Sequence, residues 1–120
     1  MKGVIKVKTK EDTINKVILL GRLKNDPEPC YTSNRKLICT FNLVVKRESK
    51  SSIWEPDTDN IPVVLWDTEA KLVGDSCVKG NQIIIIGHIQ IHSYHRYGKR
   101  HWMTEIVGEH VVLMQNNDSK

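Results

Sequence analysis

The amino-acid sequence predicts an all-β fold, five strands closed into a small barrel with one short helix between strands three and four. Apolar runs are short and are broken by glycine, proline or charged clusters, as strands are. In KLICTFNLVVKR the odd positions Leu37, Cys39, Phe41, Leu43 and Val45 are apolar, while Thr40, Asn42 and Lys46 fall between them, the period of a half-buried strand. Only DTEAKLVGDSCVKG carries helical signals: an acidic start, Ala70, Val73 and Cys77 on one face, and a Lys-Gly stop. At 120 residues the chain is the size of one domain.

The elements follow in order. INKVILLGR, residues 14–22, is the first strand, ended by glycine and a charge. KNDPEPCYTSNRK holds two prolines and several turn formers, which predicts a loop to Lys36. After the second strand, ESKSSIWEPDTDN (48–60) is polar and aperiodic, a surface loop carrying Trp54. IPVVLW (61–66) is the third strand and leads into the helix. QIIIIGHIQIHSY (82–94) is a long fourth strand, with Gly87 marking a bulge or bend. A turn around Gly98 joins it to HWMTEIV and the final apolar run VVLM. This order fits a five-stranded OB barrel. The expected organisation is an N-terminal extension at residues 1–13, whose alternating GVIKVKTK suits an extra edge strand, the barrel at 14–114, and a short disordered tail, QNNDSK, at 115–120.

Lys and Arg total 18 against 14 Asp and Glu, a net charge of +4 with a pI near 9.0, which favours a polyanionic partner. The cysteines, Cys30, Cys39 and Cys77, are odd in number and irregularly spaced, so reduced thiols are expected rather than a disulfide framework. His92, His95 and His101 lack a paired ligand spacing, and no metal or cofactor is expected. Phosphate-cradling glycine loops, nucleophile elbows and carboxylate clusters are absent from the sequence, which gives no support for catalysis. No secretory leader pattern or membrane-length apolar run occurs, so a soluble cytoplasmic protein is expected.

The segment IHSYHRYGKRHWMTE packs Tyr94, Tyr97 and Trp102 among Arg96, Lys99, Arg100 and three histidines. Aromatics beside cations at a hairpin tip form a surface for something flat and negatively charged. Each candidate has a structural alternative. Trp66 ends an apolar run and suits a barrel-end core residue as well as a stacking platform. Tyr94 lies on the polar side of its strand, which favours exposure. Trp54 either pins its loop or awaits a ligand, Trp102 suits packing better than stacking, and Lys79 before Gly80 is also an ordinary helix stop.

The residues resemble the bacterial and mitochondrial single-stranded DNA-binding proteins: INKVILLGRL, then Asp26-Pro27-Glu28 and Tyr31-Thr32, Phe41 to Val45, VVLW, Lys79-Gly80, IIIIGHIQIHSY and MTEIV. The resemblance spans residues 14–114 and implies an OB fold assembled as a homotetramer through strand-one edges, with single-stranded DNA wrapped outside. It places stacking roles on Trp66 and Tyr94 and a phosphate contact on Lys79. Ser49 and Asn60 stand where relatives often carry tryptophan, with Trp54 as a nearby substitute. Cys30, Pro62 and His92 stand where many have arginine, which moves phosphate contacts to Arg96, Lys99 and Arg100. The expected activity is sequence-nonspecific binding and protection of single-stranded DNA, with RNA as a further ligand to test. A primosome-type accessory OB protein, dimeric and bridging DNA to helicase-loading partners, is the alternative. QNNDSK lacks the acidic, aromatic-ended hook of longer relatives, so no tail-mediated recruitment is expected, which suits a specialised bacterial paralogue or one carried by a phage or mobile element.

Overall fold

The computed structural model describes Gly3 and residues 13–114; the extra edge strand expected in GVIKVKTK and the tail at 115–120 fall outside the described residues. The strands are β1 (Val17–Leu23), β2 (Cys30–Tyr31), β3 (Leu37–Lys46), β4 (Thr58–Trp66), β5 (Gln82–Arg96) and β6 (Lys99–Leu113), with α1 (Asp67–Ser76) between β4 and β5. Hydrogen bonding runs β1-β5-β6-β4-β3, and β1 meets β3 again at Arg22↔Val44 and Leu23↔Leu43, which closes a ring of five strands. β4 and β6 pair in parallel at Val63↔Ile106, the others antiparallel. This is the OB barrel, with the two-residue β2 appended to β3.

Element boundaries shift from the sequence expectation for local reasons. β1 starts at Val17 rather than Ile14, but Asn15 extends its ladder with a side chain. The Asn15 amide donates to the Ile89 carbonyl at 2.7 Å and accepts the Ile89 N–H at 2.9 Å. Cys30 and Tyr31, expected in a loop, pair with Ile38 and Leu37 because a tight turn at Thr32–Lys36 folds the chain back, with Arg35 at φ 64°. β4 begins three residues early: Thr58, Asp59 and Asn60 are exposed and polar, yet pair with Lys46, Val45 and Val44. The helix ends at Ser76, ahead of the expected Lys-Gly stop.

The predicted inner face of β3 is the core. Cys39, Phe41 and Leu43 are buried with Leu23, Val63, Leu65, Ile83, Ile85 and Ile106, and α1 closes one end of the barrel with Ala70 and Val73, followed by Cys77. Burial raises the Cys39 and Cys77 thiols above their ordinary pKa, which keeps them protonated. Asp67, at φ 51°, turns the chain from β4 into α1, a conformation that aspartate tolerates better than most residues.

Gly87 is at a bulge, as expected. Ile86 pairs with His110 and Gly87 with Gly108, so Glu109 is the extra residue on β6. A Cβ on Gly87 would overlap the Val107 carbonyl oxygen, and one on Gly108 would overlap a methyl of Leu65. Gly87 thus permits the close approach of β5 to the β6 backbone, and Gly108 leaves room for Leu65 of β4. Beyond the Ile89↔Ile106 pair, where β6 makes its last contact with β4, the two strands run on as a two-stranded arm, and every β5 residue from Ile89 onward is exposed.

Candidate nucleic-acid interface

Strand pleating decides which residues share the outer surface. On β3 and β4 the outward pairs are Ile38↔Trp66, Thr40↔Val64 and Asn42↔Pro62. The parallel match Val64↔Val107 carries that surface onto β6, where Glu105, Met103, His101 and Lys99 follow at alternate positions. Their partners on β5 are Gln90, His92, Tyr94 and Arg96. Trp66, Tyr94, Arg96 and Lys99 therefore lie on one continuous outer face, although α1 and the whole of β5 separate Trp66 from Lys99 along the chain.

An open groove of about 700 Å³ crosses this face, lined by Asn25, Asp26, Glu28, Cys30, Thr40, Asn42, Pro62, Met103 and Glu105 among others. Trp66 and Tyr94 are outside its lining, farther along the same strand face. Trp66 is 38% exposed at the end of β4, above the buried Val64, so it is neither a core residue nor fully free. Tyr94 is 45% exposed, and one side of its ring stacks on His101 at 5.4 Å between centroids and 20° between planes. His92 Nε2 lies 2.6 Å from Glu105 Oε1, which engages one of the three carboxylates in the groove lining.

The arm's turn is two residues long, with Tyr97 at φ 55° and Gly98 at φ 73°, the left-handed pair of a type I′ hairpin. Arg96 and Lys99 face each other across it on Tyr94's side. Arg100 pairs with His95 and so belongs to the opposite face, with Trp102. The basic trio read from the sequence is thus divided between two sides of the arm. Arg96 rests over the Tyr97 ring, 5.3 Å from its centroid.

Lys79 is exposed in the turn before β5, and its backbone N–H donates to Asp26 Oδ1 at 2.7 Å. That places it beside the groove at Asp26, while the length of β5, roughly 40 Å of contour at about 3.3 Å per residue, lies between it and Tyr94. Trp54 is 88% exposed. Its loop is held without it: Arg47 bridges Asp59 and Glu55 at 3.0 and 3.2 Å, and Lys50 meets Asp57 at 2.6 Å. The hydrogen bond to Asp59, then its charge, raises the Arg47 pKa above its ordinary value. Ser49 and Asn60 are exposed on the same loop and the adjoining strand.

The sequence reading did not single out Thr40, Asn42 and Met103 in the groove, His101 under Tyr94, or Tyr97 as a site. Trp102, read as packing, is instead 66% exposed. The signal for the arm was present: once the turn is two residues, Tyr94 must oppose His101 and Ser93 must oppose Trp102.

Comparison with known proteins agrees with this geometry. Residues 14–114 match the model of the single-strand binding protein family. The single-stranded DNA-binding protein of Caldanaerobacter subterraneus is 39% identical over 103 residues, covering 85% of this chain and 69% of that protein. The Streptococcus pneumoniae protein of the same name is 36% identical over 104 residues, covering 86% and 67%. Single-stranded DNA-binding protein 3 of Streptococcus agalactiae is 33% identical over 108 residues, covering 89% and 78%. With a family match across the whole barrel and an OB ring beneath it, the chain belongs to the single-strand binding protein family.

Proposed function

We propose that this protein binds single-stranded DNA without reading its sequence and protects it during replication, recombination or repair. The observation that carries this reading is one outer strand face that holds an open groove and, farther along it, Trp66, Tyr94, Arg96 and Lys99, with Lys79 bonded through its backbone to Asp26 of the groove lining. Unpaired bases stack on aromatic rings for about 1–3 kcal/mol each, and cations attract the backbone; neither depends on base identity. Members of this family are binding proteins rather than enzymes, and the groove works by holding the strand. Trp54 supplies a further platform on the β3–β4 loop, in the role that Ser49 and Asn60 lack the rings to fill.

The partly paired edge of β1 supports self-assembly. β1 meets β3 only at Arg22 and Leu23, and Ile18 and Leu20 are 69% and 47% exposed on its outer side. An apolar edge strand of this kind invites pairing with another copy, and with the resemblance to the single-strand binding proteins it supports a homotetramer as the proposed active form. A dimer by light scattering would instead favour an accessory OB protein bridging DNA to helicase-loading partners. The functional test is titration with oligo-dT, oligo-rU and blunt duplex. Tight binding of oligo-dT, weak binding of duplex and a log–log salt slope of about −0.7 per phosphate contacted are expected. Equal binding to duplex, or a flat salt response, would refute the reading.

A further inference from the structure

The groove on the outer face is lined against the expectation for a surface that meets a polyanion. Three carboxylates border it, Asp26, Glu28 and Glu105, and no lysine, arginine or histidine is among its lining residues. Two of the three are half engaged: Asp26 Oδ1 accepts the Lys79 N–H at 2.7 Å, and Glu105 Oε1 lies 2.6 Å from His92 Nε2. Each keeps its second oxygen free of protein partners among the described residues, and the exposed Glu28 keeps both. Pro62 and Met103 add apolar contact against which a flat ring can lie.

Resting on the reading that the outer face binds single-stranded DNA, we propose that the groove takes bases rather than backbone and favours a base with an exocyclic amine, cytosine over thymine or uracil. A phosphate entering the groove would meet three like charges with no cation in the lining, whereas Arg96 and Lys99 stand farther along the face at the arm's turn. The backbone is drawn to those cations, and the carboxylates are left to meet base edges. An ionised carboxylate can only accept hydrogen bonds. Cytosine offers it the N4 amine, the pairing that Asp and Glu make with this base elsewhere. Thymine and uracil place a carbonyl oxygen at that position, which a carboxylate repels. Stacking and phosphate attraction stay indifferent to base identity, so the groove adds a bias in base composition and does not recognise an ordered sequence. One net hydrogen bond corresponds to about fivefold in affinity.

The test uses the full chain with labelled oligo-dT, displaced by unlabelled oligo-dC or oligo-dU of equal length at fixed salt and at mildly alkaline pH, where cytosine is unprotonated. The two competitors differ only in what the base presents at position 4 and at N3. Oligo-dC should bind about fivefold more tightly than oligo-dU. Glu28→Gln, which removes the charge from the lining carboxylate that has no protein partner, should bring the two affinities to within about twofold of each other while the far-ultraviolet spectrum stays native. Equal displacement of the native protein by both competitors would overturn the base bias and leave the single-strand reading intact, since both still bind. A Glu28→Gln protein that binds both more tightly at an unchanged ratio would show the carboxylate acting on the backbone alone, and would also overturn the proposal. Failure of labelled oligo-dT to bind the native chain would refute the single-strand reading and this proposal with it.

Discussion

Gly87→Ala tests the idea that β5 approaches the β6 backbone at the bulge only because residue 87 lacks a side chain. An added methyl would overlap the Val107 carbonyl oxygen and stand 2.9 Å from the carbonyl carbon and 3.0 Å from Cα of Gly108. All three are backbone atoms, so no rotamer change removes the conflict; β5 and β6 must move apart at the bulge. Overpacking relieved by side-chain shifts costs about 1–3 kcal/mol, and backbone movement puts this case at about 3 kcal/mol or more. With an m-value near 1.5 kcal/mol/M, the urea midpoint should fall by about 2 M at fixed protein concentration. Gly98→Asn is the control: nothing lies within 4 Å of a Cβ there, and asparagine tolerates the φ of 73°. Its midpoint should stay within about 0.5 M of the native value. The same small shift for Gly87→Ala would refute the close-approach argument. Because β5 runs on from this bulge to Tyr94, the folded Gly87→Ala protein should also bind oligo-dT more weakly.

Trp66→Ala and Tyr94→Ala should each weaken oligo-dT binding by about 1–3 kcal/mol and leave the far-ultraviolet spectrum native; loss of the fold with unchanged affinity in the folded fraction would make Trp66 a core residue. Replacing Arg96 and Lys99 together by glutamine should flatten the salt slope by about 0.7 for each phosphate left without its cation, independently of the strand's sequence. Glu109, hydrogen-bonded to Lys16 first and His88 second at 2.7 Å each, has its pKa lowered from 4.5. A depressed folded pKa contributes stability that is present above the unfolded value and lost as pH falls through the folded one. Glu109→Gln should therefore reduce the urea midpoint at neutral pH and flatten its decline below about pH 4.5; an unchanged acid limb would show that the Lys16–Glu109–His88 bridge does not stabilise the fold.

The sequence by itself determined the barrel. Local period and punctuation sufficed for β3, for the β5 run with its glycine bulge and for α1, because burial on one face imposes alternation that one strand displays without its neighbours. It also placed Trp66 and Tyr94 among the candidates, through their positions at strand ends. Tertiary structure decided what strand pairing creates. Thr58–Asn60 become strand because Val44–Lys46 lie alongside, despite a polar composition that locally reads as loop. Asn15 acts as an extension of β1 only because Ile89, 74 residues away, presents its backbone. Arg100 parts from Arg96 and Lys99 because a two-residue turn sends successive β6 side chains to opposite faces, so neighbours in the chain become residents of different surfaces. Trp102 is exposed for the same reason: its face continues the barrel's interior, but the arm has left the barrel before Trp102 is reached and no core remains to bury it.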